Sequence, residues 1–351
     1  MRPPKPTTMT AASALDSTCR RSSIASTKSK PRHKTIQYDN SVCSYWPTVK
    51  GRGARVPGSQ YAGAAAVFGR TAATLTTTMQ SRVRVLSLNA LAQSLVTPTT
   101  FPQMIIQPVD RRRQIMFEHV ARVAPDVICL QEVDDDERPD IVDRFGLDYH
   151  ISSMSKKQAR HSTLTLVKRN SVVVDVAFTD YEYEETTIAM CATADSDDCL
   201  MVVNSHLRWE EYGKIAKAQA TNIAAVIEEA MDECKERPRV VWCGDFNCTP
   251  KDIWKRIPRT LTLRDAFNLE PSPTWCSPRG IALRLDYMLH SPGVRPVQID
   301  RPLRPPPDQD PLRWALQTYG TDHIPLSAVL EFTADPRAEP SRTTEMEVPD
   351  V

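Results

Sequence analysis

The chain has 351 residues, 41% of them hydrophobic and 25% charged, with a formal net charge of +1. That content is ample for one large domain with a buried core, and no run of about 18 apolar residues is present, so no membrane-spanning helix is expected. The charge is uneven: residues 1–80 hold 12 Lys+Arg against only Asp16 and Asp39, so they carry +10 and the remainder −9. A core with that balance is not built for non-specific nucleic-acid binding, which rests on neutralising phosphates, although a local basic patch is compatible with it.

Residues 1–80 are rich in Ser, Thr, Ala, Arg and Pro and weakly periodic. They resemble a mitochondrial or plastid transit segment; a disordered basic tail, or an extension upstream of a start at Met79, are the other readings. No compact apolar stretch follows the first basic residues, so a secretory signal is not expected. The nine cysteines are odd in number, scattered and without a Cys-x-x-Cys pair. They read as reduced, buried thiols of an intracellular protein, cytoplasmic or mitochondrial, rather than as a disulfide framework or a zinc site.

From Val83 short apolar runs alternate with helical stretches. Val83–Leu86 reads as a strand ending in Ser87-Leu88-Asn89. Asp110–Val123 has apolar residues at helical spacing (Ile115/Met116, Val120, Val123), and Pro125 ends it. Asp126–Leu130 is a strand ending in Gln131-Glu132. Leu164–Val167, Val172–Phe178, Thr187–Ala192 and Leu200–Asn204 follow as strands, the last leading into Ser205-His206. Tyr212–Cys234 carries the clearest apolar helical stripe. Thr249-Pro250 is expected to start a short helix, with Thr249 as N-cap. The Pro-rich stretch Pro292–Pro311 is expected to be a long loop, and residues 334–351 a disordered tail. Arg111-Arg112-Arg113 is expected on a solvated helix face. Arg279 and Arg284 read as phosphate contacts or surface charges, and Lys156-Lys157 as a loop near the substrate path or merely a solvated one.

The most informative segment is Val241-Trp242-Cys243-Gly244-Asp245-Phe246-Asn247. It reads as a buried strand whose end presents a carboxylate and an amide two residues apart, pointing the same way by strand alternation. A carboxylate can activate water or hold a metal, and an amide can orient a phosphate oxygen without repelling it. Asp286 lies in a further apolar run, and Thr321-Asp322-His323 precedes Ile324-Pro325-Leu326. One acid at a strand end is usually a solvated cap; six such polar positions on successive strand ends read as one site at one edge of a sheet system.

In this order the motifs resemble the endonuclease/exonuclease/phosphatase superfamily from about Ser81 to Phe332, and most closely its deadenylase-like branch, which includes the poly(A) exonucleases, nocturnin and the 2′-phosphodiesterases. The segments carrying the branch resemblance are Leu88–Gln93, Pro125–Asp134 and Cys243–Asn247. The resemblance implies an α/β fold of DNase I type, a four-layer sandwich of two mostly antiparallel sheets flanked by helices. It implies a catalytic domain over 81–333 between the basic N-terminal segment and the tail. It also implies roles. Glu132 holds Mg2+, with Mn2+ as a substitute, supported by Asn89 and Asp322. Asp245 orients or deprotonates the attacking water, and Asn247 binds the phosphate or the nucleophile. His323 donates to a phosphate oxygen, Asp286 fixes its tautomer, and His206 contacts phosphate.

Substrate-binding candidates are Arg208, Trp209 and Trp275; the tryptophans are candidate stacking platforms for a base, with packing as the favoured reading of each. Two positions depart from the branch: Glu210 stands where a second basic residue follows Arg208, and Arg160–Leu164 replaces a strand that begins with Gly and small residues. The expected chemistry is metal-assisted hydrolysis of a phosphoester. The leading substrate is an RNA 3′ end, cut by a 3′→5′ exonuclease. The alternatives are a phosphatase acting on NADP(H) or a related dinucleotide, and a catalytically silent scaffold. No leucine-rich repeat is present, and a monomer is expected.

Overall fold

In β1 (Arg82–Asn89) apolar side chains alternate, yet both faces are buried: Val83 and Val85 join one apolar cluster, Leu86 and Leu88 another. A strand covered on both sides is what a four-layer fold requires, and it explains why this chain's strands read as near-continuous apolar runs. The computed structural model describes residues 82–332, apart from 102–107, 153–160, 170, 172, 182–184, 194–198, 210–212, 234–237 and 269–271. The basic N-terminal segment, the C-terminal tail, Lys156-Lys157, Arg160 and Glu210 lie outside the described residues.

After β1 come α1 (Val109–Val123), β2 (Val127–Asp134), α2 (Arg138–Phe145), β3 (Tyr149–Ile151), β4 (His161–Lys168), β5 (Val173–Tyr181), β6 (Thr186–Thr193) and β7 (Cys199–His206). The second half holds α3 (Lys214–Glu233), β8 (Arg239–Asp245), α4 (Ile253–Arg256), β9 (Arg264–Asp265), β10 (Trp275–Cys276), β11 (Ala282–Leu283), β12 (Asp286–His290), β13 (Val294–Asp300), α5 (Pro311–Tyr319) and β14 (Leu326–Phe332). Two six-stranded sheets form, in the orders β13-β14-β1-β2-β4-β3 and β5-β6-β7-β8-β12-β9. Their inner faces meet in a core containing Val85, Cys129, Val202, Cys243 and Met288. α1 and α2 cover the first sheet and α3 the second. Among the described residues no helix is long and apolar enough to cross a membrane.

The pairing directions position the site. Within each sheet every recorded pair is antiparallel except one: β1 runs parallel to β2 in the first sheet, and β7 to β8 in the second. A parallel pair needs a crossover, and α1 and α3 supply them. Each parallel pair also brings two strand C-termini side by side, Asn89 beside Gln131 and His206 beside Asp245.

Several expectations need correction. The Pro292–Pro311 stretch is not all loop: it contains β13, an edge strand whose register shifts between Pro296 and Gln298. Proline lacks a donor and is tolerated at an edge and a bulge, so its presence hid the strand. At the end of the stretch α5 begins, with Asp310 accepting from the Arg313 N–H at 2.7 Å, Pro311 in the first turn and Gly320 at φ 78° closing the helix. Thr249 does not cap α4; its hydroxyl donates to Asp252 at 3.0 Å and the helix starts only at Ile253. Arg112 is not on a solvated face. It is 2% exposed and donates to the carbonyls of Leu91 and Gly320 and to Gln93. Arg113 pairs with Asp110, Glu137 and Asp140. Arg284 is neither a surface charge nor a phosphate contact: it is buried against Asp265 at 2.7 Å and lies over the Tyr287 ring.

The two sheets are also bolted together by a polar side chain. Asn204 of β7 is fully buried. Its amide nitrogen donates to the Leu130 and Leu164 carbonyls and the Thr165 hydroxyl, and its oxygen accepts from Gln131 at 2.8 Å. Removing one member strands several buried polar groups at once. Asn204→Ala is expected to lower unfolding free energy by about 3 kcal/mol, read as a fall in the denaturant midpoint.

Candidate active site

The backbone near the strand ends departs from regular β geometry in ways the sequence explains. Gly244 sits at φ 138°, and a Cβ there would lie 1.9 Å from the Ser205 carbonyl oxygen, so only glycine lets β8 approach β7 at this level. Asp245 follows as the last residue of β8. Strand alternation does not extend to Asn247, as the sequence reading assumed. The chain turns instead, with the Asn247 N–H donating to Asp245 Oδ1 at 2.8 Å and Asn247 in the left-handed region at φ 49°. Asn tolerates that conformation better than most residues, and the turn delivers its amide to the site all the same. Phe246 packs inward between Trp242 and Tyr287. On β2 a bulge falls between Leu130 and Val133, and Glu132 within it adopts φ 53°. Bulges re-aim side chains, and this one turns Glu132 towards the rim at a cost of about 1–2 kcal/mol in backbone strain.

At the rim, Asn89 ties the two sheets: its amide donates to Glu132 at 2.9 Å and to Asp245 Oδ2 at 3.1 Å. Asp286 lies directly across from Asp245 on the antiparallel neighbour β12, and it accepts from His323 Nδ1 at 2.9 Å. The other ring nitrogen, Nε2, is 3.7 Å from Asp245 Oδ2. Asp322 accepts from the Trp275 indole at 3.0 Å, which makes Trp275 a brace for that carboxylate. The Thr321 hydroxyl donates to the Asn89 carbonyl at 2.8 Å, locking the last loop onto β1.

His206 reaches the same point from β7. Its Nε2 is 3.7 Å from Glu132 and 3.8 Å from Asp245, and it contacts the Asn247 amide at 3.2 Å. Its Nδ1 faces Glu185 at 3.3 Å. Glu185 was missed by sequence reading; it precedes β6 in an acid-rich run with no mark to distinguish it from its neighbours. Thr274 was also missed, and its hydroxyl accepts the N–H groups of Leu285 and Asp286. The sequence-chosen residues Asn89, Glu132, His206, Asp245, Asn247, Asp286, Asp322 and His323 thus gather at one rim. Arg208 and Trp209 do not join that cluster: Arg208 points at Glu185 from 3.9 Å, and Trp209 is 65% exposed, so packing does not account for it.

The electrostatics follow from burial and crowding. Burial, and then the charge of Asp286, push Asp245 up to about 6 despite the opposing pull of His323 and His206. Burial also raises Asp322, with Glu132 adding to it against His323. Burial resists charge on both histidines and loses. Asp286, Asp322 and Asp245 hold His323 well above its ordinary value, and Glu185, Glu132 and Asp245 push His206 up to about 9. Glu132 stays ionised: burial opposes it, but His206, Asn89 and His323 hold it below the usual carboxylate range. The result is an oxygen-rich pocket with two imidazolium donors beside it. Glu132 keeps 12% side-chain exposure at the rim. An ionised carboxylate that water can reach, with Asp322 near it, suits a hard cation such as Mg2+ or Mn2+, and the Asn89 amide holds Glu132 by donating to it, so this donor set fits the metal the motifs imply.

A family profile, Endonuclease/Exonuclease/phosphatase family, matches residues 87–323. The chain belongs to this family. It is 25% identical over 295 residues to nocturnin of Xenopus laevis, covering 72% of this chain and 73% of that protein. It is 24% identical over 181 residues to the probable CCR4-Not complex 3′-5′-exoribonuclease subunit Ccr4 of Vairimorpha ceranae, covering 42% of this chain but only 38% of that protein. Among solved structures, ANGEL2, described as a 2′,3′-cyclic phosphatase and bound to adenosine-2′,3′-vanadate, aligns at TM-score 0.57 and 17% identity over 72% of this chain and 96% of that one. The human nocturnin catalytic domain with bound sulfate aligns at TM-score 0.54 and 19% identity over 73% and 96%. The expected DNase I-like sandwich is therefore the fold of this family member.

Asp245 yields a test that needs no substrate. Its folded value, about 6, lies above the 3.8 of an unperturbed Asp. The protonated form is favoured by folding, so the stabilisation is complete below about pH 4 and is lost as pH rises through 6. In chelator, Asp245→Asn is expected to be more stable than the parent at pH 8, by up to about 3 kcal/mol, with the gap closing below pH 5. Thermal melts across that range check it.

Proposed function

We propose that the chain is a metal-dependent phosphoesterase, acting as a 3′→5′ exoribonuclease of deadenylase-like type. The observation that carries the reading is the convergence of two carboxylate–imidazole pairs, Asp286–His323 and Glu185–His206, on Asp245, with Nε2 atoms 3.7 and 3.8 Å from its Oδ2. Glu132 would hold a divalent cation, with Asn89 and Asp322 in support, and the cation would supply polarisation of a phosphate oxygen and neutralisation of charge.

The side chains carry the rest. Asp245 is oriented by the Asn247 N–H and the Asn89 amide, and it is ionised above about pH 6, so it can take a proton from a water attacking phosphorus. His323 is fixed by Asp286 with Nδ1 as the donor to it, which leaves Nε2–H to donate to a non-bridging oxygen as charge develops there. His206 and the Asn247 amide offer further donors on the opposite side. Trp209, exposed beside Arg208, is the platform on which a terminal base stacks.

A dinucleotide phosphatase is the second reading, and the −9 charge of the chain beyond residue 80 favours it, because a small substrate needs no basic track. A silent scaffold is disfavoured, since such a protein has no need to hold ionisable groups in this costly arrangement. With the full chain and Mg2+, a 3′-adenylated RNA is expected to shorten stepwise, chelation to abolish this, and Asp245→Ala to be inactive. Phosphate release from NADPH with the RNA intact would transfer the assignment to the dinucleotide reading. Silence on both substrates from a folded protein would overturn both.

Asp286→Asn is expected to lower kcat by about 100-fold or more. It is also expected to move the alkaline limb of the pH profile downward, because His323 then loses the largest charge holding its proton.

A further inference from the structure

The proposed mechanism leaves one imidazole at the rim unused. His161 opens β4, whose neighbour β2 carries Glu132, and its ring centroid lies 6.3 Å from that of His206. Glu185 stands beside the same pair, on the Nδ1 side of His206. One ligand atom from each of His161, Glu185 and His206 can be chosen so that all three lie within 4.8 Å of one another. All three residues are only partly buried, so an ion and a completing water can reach them.

The donor chemistry differs from that of the acidic cluster. Glu132 and Asp322 offer carboxylate oxygens and suit a hard cation, while the Asn89 amide donates to Glu132. Two imidazoles and one carboxylate, with room for water, form the three-ligand set of an open zinc site. His206 faces both regions: Nε2 towards Glu132 and Asp245, Nδ1 towards Glu185.

We propose that His161, Glu185 and His206 form a second metal site, selective for Zn2+ and separate from the oxygen cluster that suits Mg2+. Zinc there draws the three ligand atoms together and fastens His206 to β4 and to Glu185. It thereby withdraws His206 from the substrate phosphate and inhibits hydrolysis without displacing the magnesium. The binding claim stands whether or not the chain degrades RNA; only the inhibition rests on the proposed activity.

The experiment is a titration of Zn2+, and in parallel of Co2+ as a spectroscopic probe, into the full-length protein with Mg2+ in large excess. Parent, His161→Asn and His161→Ser are compared by calorimetry and visible absorption, with thermal melts to establish that each is folded. The expected result is one Zn2+ per chain in the parent, the intense visible bands of low-coordinate cobalt, and at least a 10-fold loss of affinity in either variant. Their Mg2+-dependent activity should be retained and their sensitivity to zinc reduced. Equal zinc affinity in parent and folded variants would overturn the proposal. So would zinc displaced by added Mg2+, which would put it in the oxygen cluster, or no zinc binding by the parent.

Discussion

The site depends on one constraint of topology: among the described residues each sheet contains a single parallel pair, and both pairs end at the same rim. Parallel pairing of β1 with β2 puts Asn89 next to the Gln131-Glu132 end, and parallel pairing of β7 with β8 puts His206 next to Asp245. Were either pair antiparallel, its two C-terminal ends would lie at opposite edges of the sandwich. β12 then enters antiparallel to β8 and begins at the same level, which sets Asp286 opposite Asp245. The sequence places these groups far apart, and the crossover helices α1 and α3 bring them together.

That arrangement concentrates like charge. Glu132, Asp245, Asp286 and Asp322 arrive on four separate segments, and three of them are buried. Crowded, desolvated carboxylates resist ionisation, which is why Asp245 and Asp322 are raised. The protein offsets part of this with His206 and His323 and with the Asn89 amide, and a bound cation would offset the remainder. Strain is stored there too, in the left-handed Glu132 and Asn247. The surrounding structure holds these features in place: Asn204 and Gln131 across the sheets beneath the rim, Thr321 onto the Asn89 carbonyl, and Arg112 onto the carbonyls of Leu91 and Gly320. Stability lost at the rim is recovered just below it.

The strands and their polar ends were legible in the sequence because both sheet faces are buried. An apolar run that stops at a polar residue then marks the edge of a layer. Gly-Asp-Phe-Asn was legible for a related reason, since no other residue than glycine fits against the Ser205 carbonyl. What stayed hidden was whatever depends on distant segments. Glu185 is one acid among several until β6 pairs with β7 and brings it to His206. Arg112 sits in a run of three arginines, and only the arrival of Leu91 and Gly320 buries the middle one. The β13 strand was masked by its prolines. The start of α5, by contrast, was signalled by Asp310-Pro311 and could have been read.

The charge of the site bears on the kind of substrate it can take. The chain beyond residue 80 is acidic, and among the described residues the cationic donors at the rim are two imidazoles, His323 buried and His206 partly so, rather than a track of lysines and arginines. Arg208 is turned towards Glu185. Such a surface attracts a long polyanion weakly, because each phosphate needs its own counter-charge. It can still grip one phosphate strongly, because donors fixed in a dry pocket act without the screening that weakens surface charges. The proposed hydrolysis of one terminal phosphodiester at a time would draw on that local grip. The same logic admits a small nucleotide and disfavours internal cleavage of a long duplex. Under the proposed activity, discrimination between chain end and small ligand would fall to residues outside the catalytic cluster, and Arg208 and the exposed Trp209, which follow His206 and Leu207 in the chain, are placed next in sequence to supply it.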